Sequence, residues 1–252
     1  MTHTDRETPA VTYSSYLALD ELLAAQRPRS GEHDEMLFIV IHQVYELWFK
    51  QLLHEATHLQ RRLEAGDGPS ALHTLRRILA ILKTVVAQID VLETMTPRHF
   101  TAFRGRLEAA SGFQSAQFRE LEAVLGRRDR RVLAPYAEGS PQRAAIEAAM
   151  NRPSLLESFL VFLAACGHDG RRETLEQTLL DIYEKEALPA QVAERLLDVD
   201  EGLQEWRYRH VQMVRRTIGD RGGTGGSAGA AYLQGTLFKP AFPELWAVRS
   251  RL

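Results

Sequence analysis

The stretch HDEMLFIVIHQVYELWFKQLLHEATH, residues 33–58, decides how the chain is read. Its apolar residues return every three or four positions, the period of an amphipathic helix. On such a helix Phe38, His42, Tyr45 and Phe49 share one stripe, with Ile41, Trp48, Leu52, Ala56 and Leu59 close beside it. His42 is the anomaly in that apolar company. An imidazole withdrawn from water prefers to be neutral, and each ring nitrogen wants a partner. The one acid near the stripe is Glu46, at its edge. The partner must then come from another segment or from a bound molecule. Two readings follow: a core histidine bonded to a backbone carbonyl, or a pocket histidine facing a ligand.

The same stretch ends in a competing signal. His54, Glu55 and His58 fit H-E-x-x-H, which places two zinc-binding imidazoles and a general base on one helix turn. His54 and His58, however, share a face with Lys50, Gln51, Arg61 and Arg62, the side expected to meet water. The longer zinc-protease pattern is absent, because Arg61 stands where it needs glycine. Only Glu64 or Asp67 is at hand as a third ligand. A zinc hydrolase is thus the weaker alternative, and a polar helix face explains the pentad.

Helical spacing dominates outward from this stretch, and sustained period-2 alternation is missing. Residues 1–10 read as a loose tail and 14–26 as a short helix capped by Ser14 or Ser15. Asp34 is the expected cap of a helix to about Ala65; a second long helix runs from about Ser70 to Met95. Shorter helices are expected at 99–107 and 114–126, and Pro141 and Pro153 look like first-turn prolines. Residues 127–187 read as a smaller helical insertion or cover, and Gln191–Gly219 as the last long helix. The sum is one all-α domain over residues 1–252, a bundle of long helices.

Composition narrows the function. The chain has 252 residues and a formal net charge of −2, so no basic field attracts nucleic acid. The longest apolar run, LLESFLVFLAAC, is too short to span a bilayer, and the polar N-terminus shows no signal peptide. Cys166 is the single cysteine, which excludes an internal disulfide and favours a reducing, cytoplasmic setting.

A second histidine repeats the first anomaly. In EGLQEWRYRHVQMVRRTIGD, His210 lies on the stripe of Leu203, Trp206, Met213, Val214 and Thr217, with Arg207, Arg209, Arg215 and Arg216 assigned mainly to other faces. A helical bundle can hold a haem with one axial histidine, a dry slot and cations for the propionates. These residues permit that reading without requiring it; without C-x-x-C-H any haem would be non-covalent. Then comes DRGGTGGSAGA, in which Gly223, Gly225 and Ala228 match G-x-G-x-x-A. With no strand before it and no Lys-Ser/Thr pair, neither dinucleotide nor P-loop binding follows. A backbone this free of side chains suits a lid over a carboxylate, or an ordinary surface loop.

Taken in order, TYSSYLALDELL, HDEMLFIVIHQVYELWFKQLLHE, LETMTP, FRGRLEAASGFQSAQFRELE, RPSLLESFLVFLA and WRYRHVQMVRRTIGDRGGTGGSAGAAYL resemble the tryptophan 2,3-dioxygenase family from about Tyr13 to the C-terminal region. The resemblance implies an all-α enzyme with one non-covalent haem b per subunit, inserting both atoms of O2 into the indole C2–C3 bond of L-tryptophan to give N-formylkynurenine, the first step of the kynurenine pathway. It implies a homotetramer, a dimer of dimers. By the same resemblance His210 is the proximal iron ligand, with Trp206 beside it. His42 is the distal histidine that accepts the indole N–H, and Phe38 packs by the indole. Arg104 binds the carboxylate. Thr224, with Gly223 before it, meets the carboxylate and ammonium end. Ser111 lines the distal pocket near the haem. Tyr13, Tyr16 and Leu17 complete a neighbouring subunit's site. Phe100 stands where some relatives carry tyrosine; it keeps the ring and loses a hydroxyl.

Overall fold

A computed structural model of the chain describes residues 10–108, 110–219, 221–222 and 233–252. Among these the secondary structure is helical throughout, as the periodicity predicts. The two N-terminal helices are α1, Tyr13–Tyr16, and α2, Leu19–Leu23. The expected single helix over 14–26 is broken at Ala18, which takes the left-handed φ of 49°. The cap is Thr12, in a reciprocal box with Ser15.

Three long helices make the frame: α3, His33–Glu64; α4, Gly68–Leu92; and α10, Leu188–Ile218. Asp34 does not cap α3. It lies inside the first turn and pairs with His99 Nδ1 at 2.9 Å. The neighbouring Glu35 instead folds its carboxylate back onto the Arg29 and Ser30 amides, at 2.8 and 2.7 Å. Three residues separate α3 from α4, so the two run antiparallel; Gly66 turns the chain at φ 72°. Asp67 caps α4 through the Ser70 amide, which starts the helix ahead of the expected Ser70. Pro189 likewise opens α10 ahead of Gln191.

α4 packs on α3 along one side and on α10 along the other, while α3 and α10 scarcely touch. Tyr45 on α3 donates its hydroxyl to the Val85 carbonyl of α4 at 3.1 Å. Leu59, Leu63, Leu75, Val85, Ile89 and Leu196 are buried along these seams. At the open end of the gap lie α5, Pro97–Arg104, and α6, Ala116–Val124.

Between α6 and α10 come α7, Pro141–Asn151; α8, Leu155–Ala165; and α9, Leu175–Glu184. Pro141 occupies the first turn of α7. Pro153 does not do so in α8: it precedes the cap, Ser154, which forms a capping box with Glu157. Within residues 127–187, Leu155, Phe159, Phe162 and Leu179 join the same core as the long helices. Ile146, Ala149 and Met150 of α7 form a second cluster with Ala123 and Val124 of α6. No helix among the described residues is long and apolar enough to cross a membrane.

The tail ends in α11, Pro243–Ala247, held to α10 by one buried carboxylate. Asp200 Oδ2 accepts from the amides of Ala241 and Phe242 at 2.9 and 3.1 Å and from the Trp246 indole at 2.9 Å. Asp200→Ala removes the acceptor of three donors and should cost about 3 kcal/mol. Denaturant unfolding measures the loss, and amide exchange should show residues 241–246 opening first.

Candidate functional site

The gap that α4 leaves between α3 and α10 is a cavity. Phe38, His42, Tyr45, Glu46 and Phe49 of α3 form one wall; Trp206, Arg207, His210, Met213 and Thr217 of α10 form the other. Phe100 and Arg104 of α5 line one end. Ser111 and Ser115 lie along the connection to α6, which adds Phe118, Arg119 and Glu122. His42 and His210, far apart in sequence, thus face one space.

His42 Nδ1 lies 2.7 Å from the Phe38 carbonyl oxygen, one turn earlier on α3. A carbonyl only accepts, so Nδ1 carries the proton. Burial holds the imidazole below its usual pKa, against the opposing pulls of that carbonyl bond and of Glu46. The ring is therefore neutral near pH 7, and Nε2 is left as a lone-pair acceptor. Gln117 Nε2 ties down the Glu46 carboxylate at 2.8 Å. Phe38 lies beside the imidazole, ring centres 4.1 Å apart, and packs on Phe100 at 5.8 Å and Phe103 at 5.6 Å.

His210 is flanked by Trp206, stacked at 5.1 Å with the planes 8° apart. Phe118 and Phe49 pack on Trp206 at 4.8 and 6.1 Å. Burial, with the nearby His42 adding to it, depresses the His210 pKa to about 4. The imidazole thus keeps a free-base lone pair at neutral pH. The indole nitrogen of Trp206 is buried without a hydrogen-bond partner.

Arg207, read with the other arginines as lying mainly off the apolar stripe, is buried in the cavity wall. It is 3% exposed and pairs with Glu122 at 2.9 Å. Arg119 and Arg127 reach the same carboxylate at 2.6 and 2.9 Å, so three guanidiniums share one anion. Position 207 adjoins Trp206, but its partner lies on α6, and helical spacing carries no trace of a contact so distant in sequence. Tyr45, Phe118 and Met213 also line the cavity without having been singled out as site residues.

Arg104, at the last turn of α5, donates Nη2 to the Gly222 carbonyl at 2.5 Å. This draws the start of the glycine-rich segment to the cavity. Gly223 and Thr224 lie outside the described residues. Tyr13, Tyr16 and Leu17 do not line this chain's cavity; they are exposed by 77%, 79% and 41%. At the pentad, His54 is exposed, while Glu55 is buried and pairs with Arg77 at 3.2 Å. Arg62 Nε donates to His58 Nε2 at 3.4 Å. Among the described residues no three His, Cys, Asp or Glu side chains gather where a metal ion could sit.

Comparison with known proteins gives this geometry a family. The model of the tryptophan 2,3-dioxygenase family matches residues 1–156 and 171–252. The chain belongs to the tryptophan 2,3-dioxygenase family. It is 63% identical to a tryptophan 2,3-dioxygenase of Anaeromyxobacter sp. (strain K), with the whole of both chains covered. It is 54% identical to that of Herpetosiphon aurantiacus, over 96% of this chain and 99% of the relative. With that of Caulobacter vibrioides the identity is 41%, over 96% and 98%. These relatives of the tryptophan 2,3-dioxygenase family span nearly the full length, so the likeness takes in both histidine-bearing helices.

The buried histidine bases make stability depend on pH. An unfolded chain protonates position 210 near pH 6.5, whereas the folded chain resists until about 4. Its stabilisation is full above pH 6.5 and is lost as pH falls from there toward 4. Without bound ligand the chain should lose about 2 kcal/mol through His210 between pH 7 and pH 5. Urea unfolding of the protein and of His210→Leu at both pH values checks this; the variant should lack that share of the slope.

Proposed function

We propose that the chain is a haem-dependent dioxygenase that inserts both atoms of O2 into the indole C2–C3 bond of L-tryptophan, yielding N-formyl-L-kynurenine. Both oxygen atoms end in the product, so no external reductant is consumed. The observation that carries this reading is the pairing of His42 and His210 across one aromatic-lined cavity in a chain of this family.

The residues present fit a non-covalent haem b. His210 offers a neutral imidazole, and Trp206, Phe118, Phe49 and Met213 supply an apolar slot around it. The unpartnered Trp206 nitrogen is a donor awaiting an acceptor. Arg119 and Arg207 stand in the wall, and with Arg127 they outnumber the Glu122 carboxylate they share, so acidic substituents are welcome there. Haem bound on His210 would supply the activation of dioxygen that amino-acid side chains lack.

The chain's own part is binding and orientation. His42 Nε2 accepts the indole N–H, and because the ring is already neutral, its proton held on Nδ1 by the Phe38 carbonyl, it acts as a positioning acceptor. Phe38 and Phe100 sandwich or edge the indole. Ser111, in the wall, borders the same space. Arg104 has further N–H groups beyond the one given to Gly222 and forks onto the carboxylate. Gly223 and Thr224 then close over the amino-acid end and exclude water. Tyr13, Tyr16 and Leu17, exposed in the single chain, complete a neighbour's cavity in a homotetramer built as a dimer of dimers. The enzyme works in the cytoplasm.

Two variants separate the histidines. His42→Ala should retain the haem absorption band while kcat/KM falls about 10-fold, the worth of one lost hydrogen bond. His210→Ala should lose that band or its axial ligation. Equal haem loss in both would overturn the division of roles. Arg104→Leu should raise KM for L-tryptophan about 10²-fold, with a smaller change in kcat; steady-state kinetics at saturating oxygen decides it.

A further inference from the structure

We infer that a second ligand site, for a small polyanion of the phosphate class, lies behind the last turn of α10. A groove there is lined by Pro97, Arg98, Thr101 and Ala102 of α5 and by residues 215–219 and 221. Four of its described lining residues are arginines, Arg98, Arg215, Arg216 and Arg221, and none is an acid. Arg216 is engaged by Glu93 at 2.9 Å. Among the described residues the side chains of Arg98, Arg215 and Arg221 have no ion-pair or hydrogen-bond partner.

Arg27, Arg76 and Arg106 also lack such a partner among the described residues, but the groove gathers three such side chains with no described acid. The chain's exposed arginines are commonly matched to an acid: Arg131 to Asp129, Arg171 to Asp169, Arg195 to Asp198, Arg251 to Glu176. Two arginines in the last turn of α10 complement the negative end of that helix. Arg98 and Arg221, from other segments, exceed that need. Like charges gathered without a counter-ion repel, and an anion relieves the repulsion. Guanidinium forks match pairs of phosphate oxygens, and the first turn of α5 lines the same groove. Proline, threonine and alanine leave space for a compact ligand.

The groove shares a wall with the main cavity: Thr217 and Ile218 line both. Arg221 immediately precedes Gly222, whose carbonyl holds Arg104. An anion bridging Arg98, Arg215 and Arg221 therefore braces the chain next to Gly222, and through the Gly222 carbonyl it braces Arg104 at the end of the main cavity. Binding in the groove tightens L-tryptophan binding, and tryptophan tightens anion binding by the same factor. This coupling rests on the substrate role proposed above; anion binding itself does not.

Calorimetric titration of the haem-loaded protein with inorganic phosphate and with pyrophosphate, at ionic strength held constant with chloride, tests the site. Saturable binding at millimolar concentration or below is expected, tighter for pyrophosphate. It should weaken about 10-fold or more when Arg98→Gln and Arg215→Gln are combined. No saturable binding of either anion, or undiminished binding by the double variant with its haem band intact, overturns the site, whatever larger acidic partner the groove accepts. Saturating pyrophosphate should lower the dissociation constant of L-tryptophan in the unchanged protein and leave it unaltered in the double variant; an unaltered constant in both overturns the coupling.

Discussion

The insertion of α4 between α3 and α10 is the constraint on which the rest depends. Two long helices that packed directly on each other would close their stripes into an ordinary core. Here each spends its packing on the shared middle helix, and the Tyr45–Val85 bond clips one seam. The aromatic residues and histidines of α3 and α10 that face the gap are not covered by α4, whose Leu92 only edges it. α5 and α6 roof this space without filling it. The site is thus a by-product of spacing: α4 holds α3 and α10 apart, with Tyr45 tied to Val85 on one side and Arg209 to Asp90 on the other.

Around that gap the polar groups are confined to a few engaged positions. Glu122 gathers Arg119, Arg127 and Arg207, which joins α6 to α10, and Arg207 also donates to the Lys239 carbonyl at 3.1 Å. Asp200, buried about two turns earlier on α10, fixes the chain just after that carbonyl. A buried ion pair is weak evidence of stability, because desolvation opposes the attraction. Its value here is geometric: it sets the rotation of α10, and so the direction in which Trp206 and His210 face.

Periodicity made the long helices, the two stripes and the histidines on them legible, because helical spacing alone assigns a face. It failed where a tertiary partner decided the outcome. Arg207 reads only as lying off the apolar stripe until Glu122 is brought to it. Asp34 has the chemistry of a cap, yet the structure uses it against His99 and gives the adjacent turn to Glu35. The break at Ala18 has no glycine or proline to announce it. Arg104 and the N-terminal Tyr13 and Tyr16 carried no local signal at all; the family resemblance alone drew attention to them, and their separate settings, at the cavity end and on the open surface, emerge only in three dimensions.

The bond from His42 Nδ1 to the Phe38 carbonyl has a consequence for what the cavity discriminates. Donor and acceptor belong to the same helix, one turn apart, so the tautomer is set by backbone geometry and survives changes in more distant contacts. The outward nitrogen offers a lone pair with no net charge. On the proposed function, recognition at His42 is then indifferent to ionic strength and sensitive to whether an aromatic guest carries a hydrogen on its ring nitrogen, while Arg104, also in the cavity wall, responds to salt. One guest molecule would thereby be read in two physically independent ways.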